Sequence, residues 1–587
     1  MIHFNLLLLS IILAFGTLLH AQTFIVSPTG KDKNLKRSIA KLKEGDTLLL
    51  RGGEYPLKRP LKITKSITLK AYPNETPILD GSLPEFITTP NNEWEIVDAK
   101  LHIYRSTKTY PKVKELSAFL GEKENNYALI VYKDKEPFYA TNERYLGDNH
   151  YYAGAGIFYD KSSHHIYVRL QHSRYQTSDF NFPKSLDPRK TSLHIGTLHQ
   201  AIRIQGSNIN IEGLTIKNSY AGVYIDENSD HINIKKCTFQ PRYYGVIVRK
   251  QSNHIAINHN TIACNIPDWV PRSDVKRPRG VFPPAKSYHG SGIELADGQS
   301  HHIEIGKNTI QSCFDGVHMA QTFHDVHIHN NFFHTIRDDA IHMGSSSYNM
   351  EIDHNKMVKV YLGVSYHGRD TTLPQNVGSI YIHHNIIDTS IPQFIGREDP
   401  HNLLPLFMHG YNNTGWGSGR PFGSHAAKAI TTPDPWKIYN NTLLGMDGGD
   451  RLGFGQCYRH KPFDSNNPHE VYNNIFLMVG NHYMGRECRI EDGSTKMDGN
   501  LYWRVTNEAS PKPFFYNYDN HDFKDLNALK KQTDEKWEKK GIEADPQLND
   551  KYIPALGSPA KEGGVDLSLR PWSGVTKATY RGAIAPY

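Results

Sequence analysis

Two short stretches carry acids at a spacing suited to acid–base chemistry. They are Phe314-Asp315-Gly316-Val317-His318 and, 24 residues on, Arg337-Asp338-Asp339-Ala340-Ile341-His342. A third, Ser291-Gly292-Ile293-Glu294-Leu295, stands 24 residues before the first, so Ser291, Asp315 and Asp339 share one column and Glu294, His318 and His342 another. Neighbouring parallel strands lie about 4.8 Å apart. If the 24-residue unit is one coil of a stack, Asp315 and Asp339 are therefore next to each other. Carboxyls that close resist double ionisation and leave one holding its proton, which is the unequal pair that glycosidic cleavage uses. The same aspartates could instead serve structure or hold calcium through their oxygens; no cofactor is otherwise implied.

The surrounding chain supplies the coil. Ile293/Leu295, Val317/Met319 and Ile341/Met343 alternate with polar residues in the two-residue rhythm of a strand, apolar on one side and ionisable on the other. A repeat of this length built from strands predicts a parallel β-solenoid, an apolar tube with a polar stripe on its outer wall. A second marker, Ile-x-Ile-x-x-Asn and shorter versions of it, ends at Asn260, Asn308, Asn331, Asn355, Asn385, Asn441, Asn474 and Asn500. In-register asparagines can form an amide ladder, and Asn also tolerates the left-handed conformation of a tight corner. Aligning coils on that marker puts Glu304, His327 and Glu351 in one column and His329, Asp353 and His383 in the next. Such alternation is ordinary cross-strand pairing, with a transition-metal site as the alternative.

Three insertions interrupt the coils, at 267–288, 369–378 and 393–433, and insertions on one side of a solenoid build binding surfaces. Trp269, Tyr288, Tyr366 and Trp416 are candidates to stack on sugar rings. With His289, Glu294, His318, Arg337, His342, His367 and Arg369 they complete the expected substrate-binding set.

At 587 residues, 38% hydrophobic and 22% charged, the chain reads as folded and soluble. Its formal charge of +7 comes with no Lys/Arg block, which argues against nucleic acid and leaves an acidic or sulfated glycan as a suitable partner. Residues 1–21 resemble a secretory signal, with an apolar run from Leu6 to Leu19 and Ala21 at a cleavage point. No other stretch approaches the length of a membrane span. The protein is thus expected to be secreted, periplasmic or held at the cell surface, and monomeric. Five cysteines are too few for a disulfide framework or zinc site. Burial accounts for Cys237, while Cys264 with Cys313, or Cys457 with Cys488, could pair across coils.

In order, residues 22–84 form an N-terminal cap and first coils. Within them Asn34 to Glu44 is a predicted helix, followed by Gly-Asp, strand, Gly-x-Tyr and strand. Residues 85–190 lose the coil rhythm and read as an inserted β-rich, sandwich-like module. Residues 191–505 are the coils, and 506–587 a helix, with Leu526, Leu529 and Trp537 on one face, and a closing segment.

The N-terminal pattern resembles the cap of right-handed parallel β-helix proteins of the pectate-lyase type. The Asp-Gly of one coil followed by the Asp-Asp of the next is similar to polygalacturonase-type glycoside hydrolases. That resemblance implies Asp338 as general acid, with Asp315 and Asp339 holding and activating water. The chain departs from the family where Cys313 replaces an Asn and where Leu362 to Arg369 lacks a clean Gly-His-Gly. The resulting expectation is an all-β exported enzyme that hydrolyses a polysaccharide. The rivals are a polysaccharide lyase using His318, His342, Arg337 or Arg369 beside a uronate, and a non-catalytic glycan binder.

Overall fold

The computed structural model describes residues 21–29, 34–120, 127–142, 152–173, 185–267, 288–344, 347–366, 378–390, 420–424, 435–446, 468–479, 485–486, 495–506, 509, 513–516 and 522–586. The proposed signal at 1–21 and the Cys457/Cys488 pair therefore lie almost wholly outside the described residues, as do most of the three insertions.

Parallel strands stack coil on coil around one apolar core. One wall is a 13-stranded sheet that begins with Thr23–Val26 and ends with Thr495–Asp498. Its register follows the marker seen in the sequence: Ile209 and Ile211 lie beside Ile232 and Ile234, then Ile255 and Ile257, then Ile303 and Ile305. Every second side chain in these strands is buried in the core and the others face out. A 20-stranded sheet supplies two further ladders that merge in the long strands Phe332–Met343 and Lys356–Tyr366. Continuous apolar packing from Val26 to Trp537 holds the stack together.

The asparagine ladder runs without a break. Each side-chain amide donates to the next: Asn260 to Asn308 at 3.0 Å, then to Asn331, Asn355, Asn385, Asn441, Asn474 and Asn500, all at 2.9–3.1 Å. The ladder starts below Cys237, whose N–H donates to Asn260, and ends on the buried Glu538 carboxyl, 2.6 Å from Asn500 Nδ2. One part of the expectation needs correction. The positive φ belongs to the residue before each ladder Asn, such as His259, Lys307, Asn330 and His354, and not to the Asn itself. The amide's task is to bond its neighbours, and the residue before it makes the turn.

The first coils join the later ones across the insertion. Leu61–Ile63 pairs directly with Ile202–Ile204, and Ile78–Asp80 with Thr215–Lys217, so the segment between is spliced out of the tube. It contains a five-stranded sheet that includes Trp94–Asp98 and Ile166–Arg169, a three-stranded sheet around Ser117–Leu120, and a second apolar core of its own. The predicted helix spans Leu35–Lys41, capped by the Asn34 side chain on Arg37 N–H, and buries Leu35 and Ile39. The C-terminal helix is shorter than expected, Leu526–Gln532. Asp534 and Glu535 have positive φ and end it, so Trp537 reaches the core from beyond the helix. Cys264 and Cys313 are disulfide-bonded and Cys237 is a buried thiol. No helix among the described residues is long and apolar enough to cross a membrane.

Candidate active site

The columns anticipated from the 24-residue spacing are real pairings. Ser291 lies beside Asp315, Glu294 beside His318, and His318 beside His342. Strict alternation would turn Asp315 to the same side as the buried Val317. Gly316 between them leaves no room for a side chain: an added Cβ would run into the Ala340 carbonyl and the Phe333 ring, and Gly222, Gly245 and Gly292 hold the same position in the coils before it. Asp315 nevertheless shares a site with His318, whose charge it helps to hold.

A second irregularity sits one coil on. Between the pairs Ile336–Val360 and Asp339–Leu362, both Arg337 and Asp338 oppose Tyr361 alone, which is a β-bulge. Consecutive strand residues normally point apart. Here the bulge turns Asp338 so that one oxygen from each of Asp315, Asp338 and Asp339 lies within 4.8 Å of the others. The same three oxygens could supply part of the six to eight that a calcium ion takes.

Hydrogen bonds fix the cluster across four coils. Asp339 N–H donates to Asp315 Oδ1 at 3.1 Å. Asp339 Oδ2 receives Ser365 Oγ at 2.7 Å and lies 2.6 Å from His342 Nδ1. The His342 ring packs against His318, with centroids 4.7 Å apart, and His318 Nδ1 is 2.9 Å from Glu294. Ser291 Oγ donates to Glu294 at 3.0 Å. Burial works against a charged His318, but Glu294, Asp315 and Asp339 outweigh it and push its pKa up to about 9. His318 is thus an imidazolium at neutral pH, the positive member of an otherwise acidic group.

The stripe is less open than the sequence suggested. Asp315, Asp338 and Asp339 are 5%, 1% and 0% exposed, and Glu294 and His342 are also buried. His318 keeps 27% of its side chain in solvent and His289, its ring tilted against Phe314, is exposed. Arg337 does not reach the surface: its guanidinium is wholly buried and donates to the carbonyl of Pro267, where the first insertion begins. Tyr288 is buried too, with its hydroxyl on the Ala128 carbonyl. Tyr366 closes the strand Lys356–Tyr366, whereas His367, Arg369, Trp269 and Trp416 lie outside the described residues.

Sequence reasoning missed two contributors. Ser365 falls in the Glu294–His318–His342 column one coil on, a position the spacing alone would have found had the insertion after it not obscured the repeat. Tyr244 pairs back to Ala221 and precedes the Ser291 column, close enough to Glu294 and Asp315 that, after burial, their charges help hold its phenol neutral. On the opposite wall, the other histidine columns form cross-strand pairs, His327 with Asp353 at 2.6 Å, His383 with Glu351 at 3.0 Å and His329 with Glu304 at 3.2 Å.

No curated protein matches this chain. Similar solved structures include XylC in complex with xylose (12% identity over 84% of this chain and 86% of that one, TM-score 0.44). Another is the pectate lyase Pel9A (12% identity, 96% of each chain, TM-score 0.41). A third is a polygalacturonase from Erwinia carotovora ssp. carotovora (10% identity, 86% of this chain and 96% of that one, TM-score 0.37). Residues 200–387, the stretch that carries the three acids, match the family described as right handed beta helix region.

Proposed function

We propose that this chain is an exported enzyme that hydrolyses a glycosidic bond of a polysaccharide, with Asp338 as general acid and Asp315 and Asp339 holding the attacking water. The observation that carries the reading is the bulge at Arg337-Asp338, which brings a third carboxyl onto a pair already in register. A purely structural stack has no use for that convergence, since three adjacent carboxylates repel one another. Hydrolysis needs one carboxyl to protonate the leaving oxygen and another to activate water. Asp339, held by Ser365 and His342, and Asp315, held by the Asp339 N–H, have the fixed orientation that positioning a water requires. His318 supplies positive charge beside them.

Elimination fits less well. It requires a base beside a uronate: His318 keeps its proton up to pH about 9, Arg337 is buried on the Pro267 carbonyl, His342 is buried with Nδ1 on Asp339 and Ser365, and Arg369 lies outside the described residues. The test is a screen of purified protein against plant and algal polysaccharides. Hydrolysis releases reducing ends without an ultraviolet-absorbing double bond, and Asp338→Asn stops that release in a protein that still folds. Cleavage that survives both Asp338→Asn and Asp315→Asn refutes the assignment, and absorbance growing with cleavage replaces hydrolysis by elimination.

A further inference from the structure

A cavity of about 960 Å³ opens where the Leu35–Lys41 helix, the first coils and the inserted segment meet. Its lining includes eight lysines and arginines and no aspartate or glutamate. Arg203 is paired with Asp226, and Lys65 donates to the helix's last carbonyls. Lys36, Lys58, Arg59, Lys62, Lys112 and Lys114 have no acidic partner among the described residues. Like charges gathered in one concavity repel and destabilise the fold unless something anionic occupies it. The concentrated charge is felt by His199 on the rim: burial first, then Lys114, Arg203 and Arg249, hold its pKa below the ordinary value.

The cavity lies on the same outer face as the carboxylates. One column runs Lys62, Arg203, Tyr224, Ile247, Glu294, His318, His342, each paired with the next. From Arg203 to His342 is five strand spacings, roughly 24 Å. Beside that column a row of half-buried rings leaves the cavity toward the acids. His199 stacks on Tyr220 at 5.0 Å, and Tyr220 on Tyr243 at 4.8 Å. Flat rings of this kind offer apolar faces with polar edges, as a sugar chain does.

We propose that this cationic cavity is a subsite for the anionic substituents, carboxylate or sulfate ester, of a glycan chain that runs along the tube axis over Tyr220 and Tyr243 toward Asp315, Asp338 and Asp339. The proposal rests on the hydrolase reading for where the chain is cut, and it adds the chemical class of the polymer and its direction. Binding there is electrostatic and weakens as salt rises. The six cations without acidic partners are exposed side chains on the cavity wall, so charge reversal leaves the core untouched.

The test uses the full chain carrying Asp338→Asn, so that ligand survives, and titrates it with oligogalacturonate, a sulfated galactan oligosaccharide and a neutral xylo-oligosaccharide of equal length. One or both anionic ligands bind, and the one preferred tells carboxylate from sulfate. Lys112→Glu with Lys114→Glu weakens that binding by about tenfold or more, and Lys58→Glu with Arg59→Glu does the same, because each reversal replaces attraction by repulsion. A control of equal charge on the far surface, Lys551→Glu with Lys561→Glu, changes it by less than about twofold. Absence of binding by both anionic ligands, equal weakening by cavity and control variants, or tighter binding of a single-stranded DNA of matched charge overturns the subsite. Cleavage that persists in Asp338→Asn and in Asp315→Asn, or absorbance that grows with it, overturns the hydrolase reading instead, so the two failures are told apart.

Discussion

Two stacks of polar side chains climb the same coils and differ in kind. At one corner eight asparagines repeat one residue, and each amide gives and receives in the same way from Asn260 to Asn500. On another face the column changes from Ser291 to Asp315 to Asp339, and beside it from Glu294 to His318 to His342. Identical neutral residues can be satisfied by their own copies, so a ladder stabilises simply by repeating. Acids cannot be satisfied by acids. Their stack comes with a bulge at Arg337-Asp338, an imidazolium and a serine. Where a fold spends irregularity to assemble groups that repel, chemistry is the better explanation.

Exchanging roles between the stacks is the sharpest way to break the comparison. Asp338→Asn should lower the rate of glycan cleavage by roughly 10³-fold, the usual contribution of a positioned general acid, while the melting temperature stays level or rises. Asn331→Ala should do the reverse. It removes the acceptor for Asn308 N–H and the donors to the Ile305 carbonyl and Asn355, leaving buried groups unpaired. A loss of roughly 3 kcal/mol is expected, with turnover per folded molecule unchanged; calorimetry and active-fraction kinetics separate the two. A mid-ladder substitution that lowers turnover but not stability would erase the distinction drawn here.

Ladder and acid site also differ in how pH reaches them. The ladder ends on Glu538, fully buried, whose pKa burial pushes up to about 7 despite donors from Asn500 and Tyr502. A carboxyl that holds its proton more tightly folded than unfolded stabilises below its unfolded pKa, and that stability drains as pH rises toward the folded value. The expected loss between pH 4.5 and 7 is roughly 3 kcal/mol, and Glu538→Gln should abolish it. Denaturant titrations at both pH values check this, and a slope of the opposite sign would disprove it.

Most of the stack was legible because it is periodic. The isoleucine pairs, the Asn marker and the 24-residue offset each state a register, and parallel pairing has only one way to honour all three. Irregularities were not legible. Asp338 and Asp339 look the same in sequence whether a strand alternates or bulges, and the bulge shows only in the pairing with the next coil, where Ile336–Val360 is followed by Asp339–Leu362. Burial of Arg337 was missed because the Pro267 carbonyl that receives it is 70 residues away, at the start of an insertion. The helix end before Trp537 was lost because Asp534 and Glu535 adopt positive φ without a glycine to announce it. Ser365 was hidden by the insertion that follows it.

The smallest expected effect concerns how the acids are held. Ser365 Oγ donates to the Asp339 oxygen that also faces His342, so Asp339 has two donors on one oxygen. Ser365→Ala removes one and leaves the other, and Asp339 remains placed, though with more freedom. Loss of one charge-assisted hydrogen bond is worth about 1.5 kcal/mol, or roughly a tenfold fall in kcat. Because the serine touches another residue and not the glycan, KM should move little, and Ser365→Thr, which keeps the hydroxyl, should recover much of the rate. The Asn ladder offers no counterpart to such a partial loss: each of its amides is bonded both above and below, so any truncation leaves two neighbours unpaired. A Ser365→Ala protein as inactive as Asp338→Asn would mean that the serine belongs to the reacting groups themselves, and the division between holding and reacting would have to be redrawn one coil further along the tube.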